Sequence, residues 1–357
     1  MRRQGSGRYL LAAGSLAAGL LAGCGAAGTE ISTNRPAGTR ASAGTDGADP
    51  GAGTASGETR AATAGRAAGG VQPAATAGRT RVVLLGTGTP GAEPERSGPA
   101  TAIVVDDTPY LVDFGPGVVR RATAAFVNGV AGLQVQNLRL AFLTHLHSDH
   151  TAGYPDLILT PWVLGRWQPL HVYGPPGLAA MSENILEAYR EDIRVRVGGA
   201  EMLDPAGVRV EAHEITMDRG VVYEDDLVSV EAFAVPHGTW EHAFGYKFVT
   251  VDRTVVVSGD TGPFDGLVEI ARGADVLVHE AYTSAAFFRR NLGTRRYHGT
   301  FHTSATKVGE IAARANVGMV VLYHQLHLAG DTPEQMVAEV KTQFDGPVVY
   351  GRDLDVY

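Results

Sequence analysis

Only one of the 357 residues, Cys24, is a cysteine, so no internal disulfide can form and no zinc site can be built from paired thiolates. A metal held by this chain must be held by histidine and carboxylate. Histidine is itself missing from the first 144 residues, and all twelve lie between His145 and His327. Large aliphatic side chains are almost absent from residues 25 to 80, where 16 Ala, 12 Gly and 9 Thr leave only Ile31 and Val71. Such a segment cannot repay the entropy of ordering its backbone and reads as a disordered tether. A membrane-spanning start is also missing. The apolar run from Tyr9 to Ala22, behind Arg2, Arg3 and Arg8, is 14 residues long, whereas a span needs about 20. A basic start, a short apolar core and small residues describe a secretory signal.

Leu21-Ala22-Gly23-Cys24 resembles the lipobox of bacterial lipoproteins, which implies an exported protein, lipid-anchored through Cys24 to the outer face of the bacterial cell membrane. A plain secretory signal with an incidental cysteine is the alternative. The expected organisation is a lipoprotein signal peptide over residues 1–23, the tether over 24–79 and a folded domain over 80–357. Charge divides along the same boundary. The net charge of −8 combines a leader and tether at +4 with a folded part near −12. A domain that acidic repels a phosphate backbone unless a local basic patch overcomes it, so nucleic acid is not expected as a partner.

From Arg81 onward, short apolar runs punctuated by glycine and proline predict strands at 81–85, 101–105, 110–113 and 138–143, with a first helix at 117–127. Further strands are expected at 170–173, 208–215, 228–235, 244–251, 254–258, 276–279 and 317–323, and helices at 176–191, 264–271, 304–315 and 333–344. Adjacent strand runs mixed with strand–helix alternation indicate an α/β fold of two sheets with helices outside.

The strongest chemical signal is Thr144-His145-Leu146-His147-Ser148-Asp149-His150, between a buried strand and an apolar helical stretch. It puts four metal-capable side chains at one strand-to-helix turn. Neutral imidazoles with a carboxylate suit zinc, ahead of manganese or iron.

These residues match the HxHxDH motif in full, and residues 81–357 resemble the metallo-β-lactamase fold. The resemblance implies an αββα sandwich with a metal site along one edge. Gly86-Thr87-Gly88-Thr89-Pro90 and Val112-Asp113-Phe114-Gly115-Pro116-Gly117 are similar to family loops. By position in the family, His237 supplies the third imidazole, with His242 as the competing candidate. Asp260 corresponds to the bridging carboxylate, and His324 is the final histidine. The implied site puts His145, His147 and His237 on one metal, and Asp149, His150 and His324 on the other, with Asp260 between them. Two divalent ions, zinc or else manganese, would share a hydroxide for hydrolysis, and Asp149 could also orient it.

Val278-His279-Glu280-Ala281 and Phe301-His302-Thr303-Ser304 resemble the glutamate and histidine that pair in the ribonuclease Z branch. There His302 would protonate the leaving group, and Glu280 would orient it and raise its basicity. Otherwise His302 merely opens a helix capped by Thr303 or Ser304. That branch grips transfer RNA with an arm inserted after the strand corresponding to Phe244-Gly245-Tyr246-Lys247-Phe248. Only nine residues, Val249 to Val257, separate that strand from Ser258 and leave no room for the arm. Arg96-Ser97-Gly98-Pro99-Ala100 and Tyr173-Gly174-Pro175 are similar to an arylsulfatase-like branch that lacks it.

The expected function is therefore an exported binuclear hydrolase of small-molecule anionic esters, arylsulfatase- or phosphodiesterase-like. A ribonuclease Z-type endoribonuclease and a non-catalytic metal-binding surface lipoprotein are the alternatives. The segment from Ser284 to Gly299 holds Arg289, Arg290, Arg295 and Arg296 with Phe287, Phe288 and Tyr297, and reads as a loop that either covers the site or is simply solvated.

Overall fold

A strand covered on both faces needs apolar side chains at consecutive positions. The run Thr80–Gly86 (β1) has them: Val83 and Leu85 enter a core beneath helices, while Val82 and Leu84 enter a second core between two sheets. The computed structural model describes residues 79–328 and 330–357, so the readings of leader, lipobox Cys24 and tether over 1–78 lie outside the described residues. The same alternation continues through β2 (Ala100–Val105), β3 (Thr108–Val112), β4 (Leu140–Phe142), β5 (Leu170–Gly174) and β6 (Val210–Glu214), which pair in chain order into a six-stranded sheet. Helices α1 (Val118–Val127), α2 (Ser148–Thr151), α3 (Tyr154–Val163), α4 (Leu178–Ala188) and α5 (Arg190–Gly198) accompany this sheet, with Ala122, Leu157 and Leu178 packed in its outer core.

A seven-stranded sheet follows, again in chain order: β7 (Arg219–Glu224), β8 (Val228–Ala234), β9 (Phe244–Thr250), β10 (Thr254–Val257), β11 (Val276–Tyr282), β12 (Val320–Leu326) and β13 (Val348–Tyr350). Its outer face packs on α6 (Leu267–Ile270), α9 (Ala305–Ala315) and α10 (Pro333–Lys341) through Leu267, Val308, Ile311 and Met336. The inner faces meet through Phe142, Tyr246 and Phe248. Two sheets flanked by helices form the αββα sandwich expected.

The largest departure is the stretch read as a loop. It contains α7 (Ser284–Phe288) and α8 (Leu292–Phe301). Helix α8 buries none of its residues and starts where the Asn291 side chain accepts a bond from Thr294 N. With no apolar stripe, its period leaves no trace in hydrophobicity. Strand β7 escaped notice for a related reason, since its residues are half-buried or exposed along the sheet edge.

Three backbone devices shape the site. A Cβ on Gly115 would lie 2.5 Å from the carbonyl oxygen of Asp149, so only glycine lets the loop after β3 press against the metal-binding turn. Asp113, at the end of β3, has φ 61. In β12, Tyr323 pairs with Glu280 and Gln325 with Ala281, which leaves His324 as the extra residue of a bulge at φ 43. A bulge re-aims a side chain out of the regular alternation, and here it turns His324 toward the metal-binding turn.

Candidate metal centre

Four chain segments converge at one end of the sandwich: the turn after β4, the residues after β8, the residues after β10, and the bulge in β12. They bring His145, His147, His237 and Asp260 together with their ligand atoms all within 4.8 Å of one another, and Asp149, His150 and His324 likewise. Asp260 belongs to both groups by contact, with one oxygen 3.5 Å from His150 Nε2 and the other 3.5 Å from His324 Nε2. His242 stays outside, its ring 4.0 Å from the carboxylate of Glu241, so His237 is the histidine brought to the centre.

Three of the rings are held by the outer nitrogen. His145 Nδ1 donates to Thr144 Oγ1 at 3.0 Å, and His237 Nδ1 donates to the Phe301 carbonyl at 2.8 Å. His150 Nδ1 donates to Asp113 at 2.8 Å. The Nε2 atoms are thereby left pointing inward, the arrangement by which outer partners orient metal-binding imidazoles. His147 turns the other way: its Nδ1 lies 2.8 Å from His145 Nε2 and 3.2 Å from His237 Nε2, while Trp240 packs edge-on against its ring.

The electrostatics suit cations. Burial lowers His145 and His147 and holds His237 down at about 4, so all three are neutral and able to ligate. Burial also opposes charge on His150, but Asp260 and Asp113 outweigh it and raise that imidazole well above its usual range. Burial likewise opposes ionisation of Asp260, and His324 and His150 overcome it, leaving its carboxyl well below the ordinary range. Burial opposes charge on His324 too, but Asp260 and Asp149 raise it, so the carboxylates favour positive charge where the second cluster would hold a cation. His150 Nε2 and Asp260 Oδ1 are buried with no hydrogen-bond partner, and such orphans cost about 1–3 kcal/mol each unless something else satisfies them. The donor set and these orphaned atoms fit two divalent ions of the zinc type.

The Glu280–His302 pair stands beside this centre. His302 Nδ1 is 3.5 Å from Glu280 Oε1 and 3.9 Å from Asp260 Oδ2. Glu280 Oε1 also accepts from Thr303 N at 2.9 Å, which anchors the turn that carries His302. The expected rise in basicity is not what burial produces: desolvation pushes His302 down to about 4 and Glu280 well above the carboxylate range.

Two residues escaped the sequence reading. Asp113 accepts from Thr144 N at 2.8 Å, from Thr144 Oγ1 at 3.0 Å and from His150, and so locks the metal-binding turn onto β3. Its signal was an aspartate at a strand end inside a glycine-rich turn. Trp240, three residues past His237, carried no signal of its own.

Clefts open on both sides of the centre. One of about 630 Å³ reaches Asp149 past Glu93, Arg96 and Ser97, and one of about 410 Å³ lies beside Gly238, lined by Arg296, Tyr297, Thr300 and Phe301. Tyr297 stacks on Phe301, ring centroids 4.3 Å apart, and Phe301 sets its ring 5.0 Å from that of His237. Helix α8 is therefore part of the wall of the site.

Residues 108–325 match the family described as the beta-lactamase superfamily domain. Ribonuclease Z of Mycobacterium bovis (strain BCG / Pasteur 1173P2) is 34% identical over 278 residues, which cover 76% of this chain and 96% of that protein. Ribonuclease Z of Mycolicibacterium gilvum is 36% identical over 278 residues, covering 76% and 94%. Among solved structures, the metallo-β-lactamase fold protein YhfI of Bacillus subtilis superposes with a TM-score of 0.58 at 18% identity, covering 78% of this chain and 98% of that one. The short form of human tRNase Z gives 0.57 at 22% identity, with the same coverages. These relatives correct the expectation that excluded nucleic acid. That expectation averaged charge over a whole domain, whereas binding depends on the local surface. Arg296 of α8 lines the smaller cleft beside the centre, while Arg295 packs over Phe287 and Phe288.

Proposed function

Since this chain belongs to the beta-lactamase superfamily, with a zinc-compatible binuclear centre of the metal-dependent hydrolases, we propose that it is a phosphodiesterase of the ribonuclease Z type that cuts RNA. The observation that carries this reading is the ribonuclease Z likeness, which runs through 96% of the M. bovis enzyme. The reading that favoured small esters rested on the missing arm, the acidic domain, the export signal and the arylsulfatase-like segments. The turn between β9 and β10 is indeed tight, with Thr250 N bonded to the Arg253 carbonyl. RNA would then be gripped elsewhere, and α8 offers Arg296 and an exposed tyrosine, Tyr297, at the mouth of the site. Arginine pairs with phosphates and aromatic faces stack on bases, with no need of sequence readout. Export rests on the leader alone.

Zinc bound in the two clusters would bring water toward a pKa of about 7 and clamp the attacked phosphoryl group. The chain's residues do the rest. Asp149, at the floor of the larger cleft, accepts a proton from the attacking water. As the bond from phosphorus to that oxygen forms, the bond to the leaving alcohol breaks, and His302 in its protonated form, a minor species while burial holds the imidazole at about 4, delivers its proton to the leaving oxygen. Glu280 holds the turn that positions His302.

The test is incubation of purified protein and zinc with transfer-RNA precursors, unstructured RNA and a nitrophenyl phosphodiester. Discrete RNA cleavage is the expected result. Hydrolysis of the small diester with intact RNA at every salt concentration would leave the hydrolase and remove the RNA. His302→Ala should lower kcat on RNA by roughly 10²–10⁴-fold, the usual worth of a general acid. It should change turnover of the nitrophenyl ester little, because nitrophenolate leaves without a proton. Equal losses on both substrates would end the acid assignment. Arg296→Ala should raise KM for RNA and reduce the slope of log affinity against log salt by about one, the signature of a lost phosphate contact. An unchanged slope would remove α8 from the RNA path.

A further inference from the structure

We propose a third metal site, separate from the binuclear centre, in which His171 of β5 and Glu211 and His213 of β6 hold one divalent ion of the zinc class. Parallel pairing sets His171 opposite Glu211 and Tyr173 opposite His213. Residues two apart on a strand share a face, so all four side chains rise from the same side of the sheet. His171 Nδ1 lies 3.3 Å from a Glu211 carboxylate oxygen and 3.4 Å from His213 Nε2, and the three ligand atoms lie within 4.8 Å of one another. Those separations are the edges of a coordination tetrahedron, since bonds of about 2.0–2.1 Å to zinc put neighbouring ligand atoms about 3.3–3.4 Å apart.

Hydrogen bonding accounts for less of this arrangement. One Nδ1 carries at most one proton, so it can serve Glu211 or His213 but not both. A cation at the centre serves all three. The rings are also set in place: Tyr173 stacks on His213 with centroids 4.3 Å apart and planes 12° apart, and the two imidazoles are within 11° of parallel. Burial, with His171 beside it, holds His213 below the usual imidazole range, in the neutral form that ligates.

The site has a structural use. Strand β6 is the last of its sheet, and an edge strand has hydrogen bonds on one side only. An ion shared between β5 and β6 would clamp that edge. It is also distinct from the catalytic end, because His171 pairs with Leu140, at the start of the strand that runs toward His145.

The test uses untagged full-length protein stripped with a chelator, reloaded with zinc and freed of excess metal, with zinc counted by mass spectrometry. Wild type should carry one equivalent more than His171→Ala or His213→Ala, while hydrolysis of the nitrophenyl diester stays unchanged. Glu211→Ala, a change at an exposed side chain, should lose the same equivalent and covers the case in which a histidine variant does not fold. The difference between wild type and variant carries the test, so an incompletely loaded or inactive binuclear centre does not disturb it. Equal zinc in wild type and a folded His171→Ala protein, or in wild type and Glu211→Ala, would overturn the proposal.

Discussion

Asp260→Asn should leave the protein folded but unable to retain two zinc equivalents, with hydrolysis of any substrate reduced by about a thousandfold or more. The carboxylate is 2% exposed, groups with His145, His147 and His237 to within 4.8 Å and lies 3.5 Å from both His150 and His324 of the other cluster, so it is the one negative charge both ions would share. The amide brings a neutral oxygen and an NH2 that faces imidazole nitrogens. The first cluster keeps three neutral rings, and the second keeps Asp149 as its only anion. Losing the ions forfeits activation of water, whose pKa otherwise falls from 15.7 toward about 7. Metal content after gel filtration and initial rates are the two measurements. Full metal content in the variant would show that the clusters do not depend on a common carboxylate.

Asp113→Ala should produce the largest loss of stability. In chelator-stripped protein it should lower the unfolding free energy by about 3–5 kcal/mol, the scale for removing one partner of a buried ion pair. Asp113 and His150 are both fully buried and lie 2.8 Å apart, and Thr144 loses two acceptors at the same time. Alanine must also adopt φ 61, a conformation that disfavours a Cβ. Asp113→Asn separates these effects, because asparagine tolerates the backbone and still accepts from Thr144 N. It cannot hold the His150 proton as a carboxylate does. It should therefore be nearer wild type in stability yet bind zinc about 10–100-fold more weakly, as changes to the partners of metal-binding histidines do. Denaturant melts with and without zinc distinguish the two variants. Identical stability in Asp113→Ala and wild type would show that the turn is held by other contacts.

Much of this centre was legible because its chemistry is local in the chain. Four metal-capable residues between His145 and His150 need no fold to be recognised, and Asp260 and His324 stand out by their place after apolar runs. The choice between His237 and His242 was not local. It depended on which residue the β8–β9 connection carries inward, and both follow the same apolar run. That His324 reaches the site through a bulge was equally invisible, because bulges are a property of pairing between strands. Asp113 acts through hydrogen bonds to residues 31 and 37 positions away, which no pattern within one segment encodes. The sandwich was readable from alternating and continuous apolar runs, whereas α8, solvent-covered and polar, was not. The exclusion of nucleic acid failed because it summed charge, which discards where the arginines sit.

The two halves of the site are mounted on very different foundations. The metal-binding half hangs from strand ends buried between packed cores. His302, in contrast, immediately follows α8, a helix with no buried residue. Regions with little buried apolar contact open at a far lower free energy than the core. Breathing of the first turns of α8, ahead of the Phe301 carbonyl that holds His237, would thus open the mouth of the site while the metal cradle stays intact, so a long flexible substrate could enter without any core strand having to move.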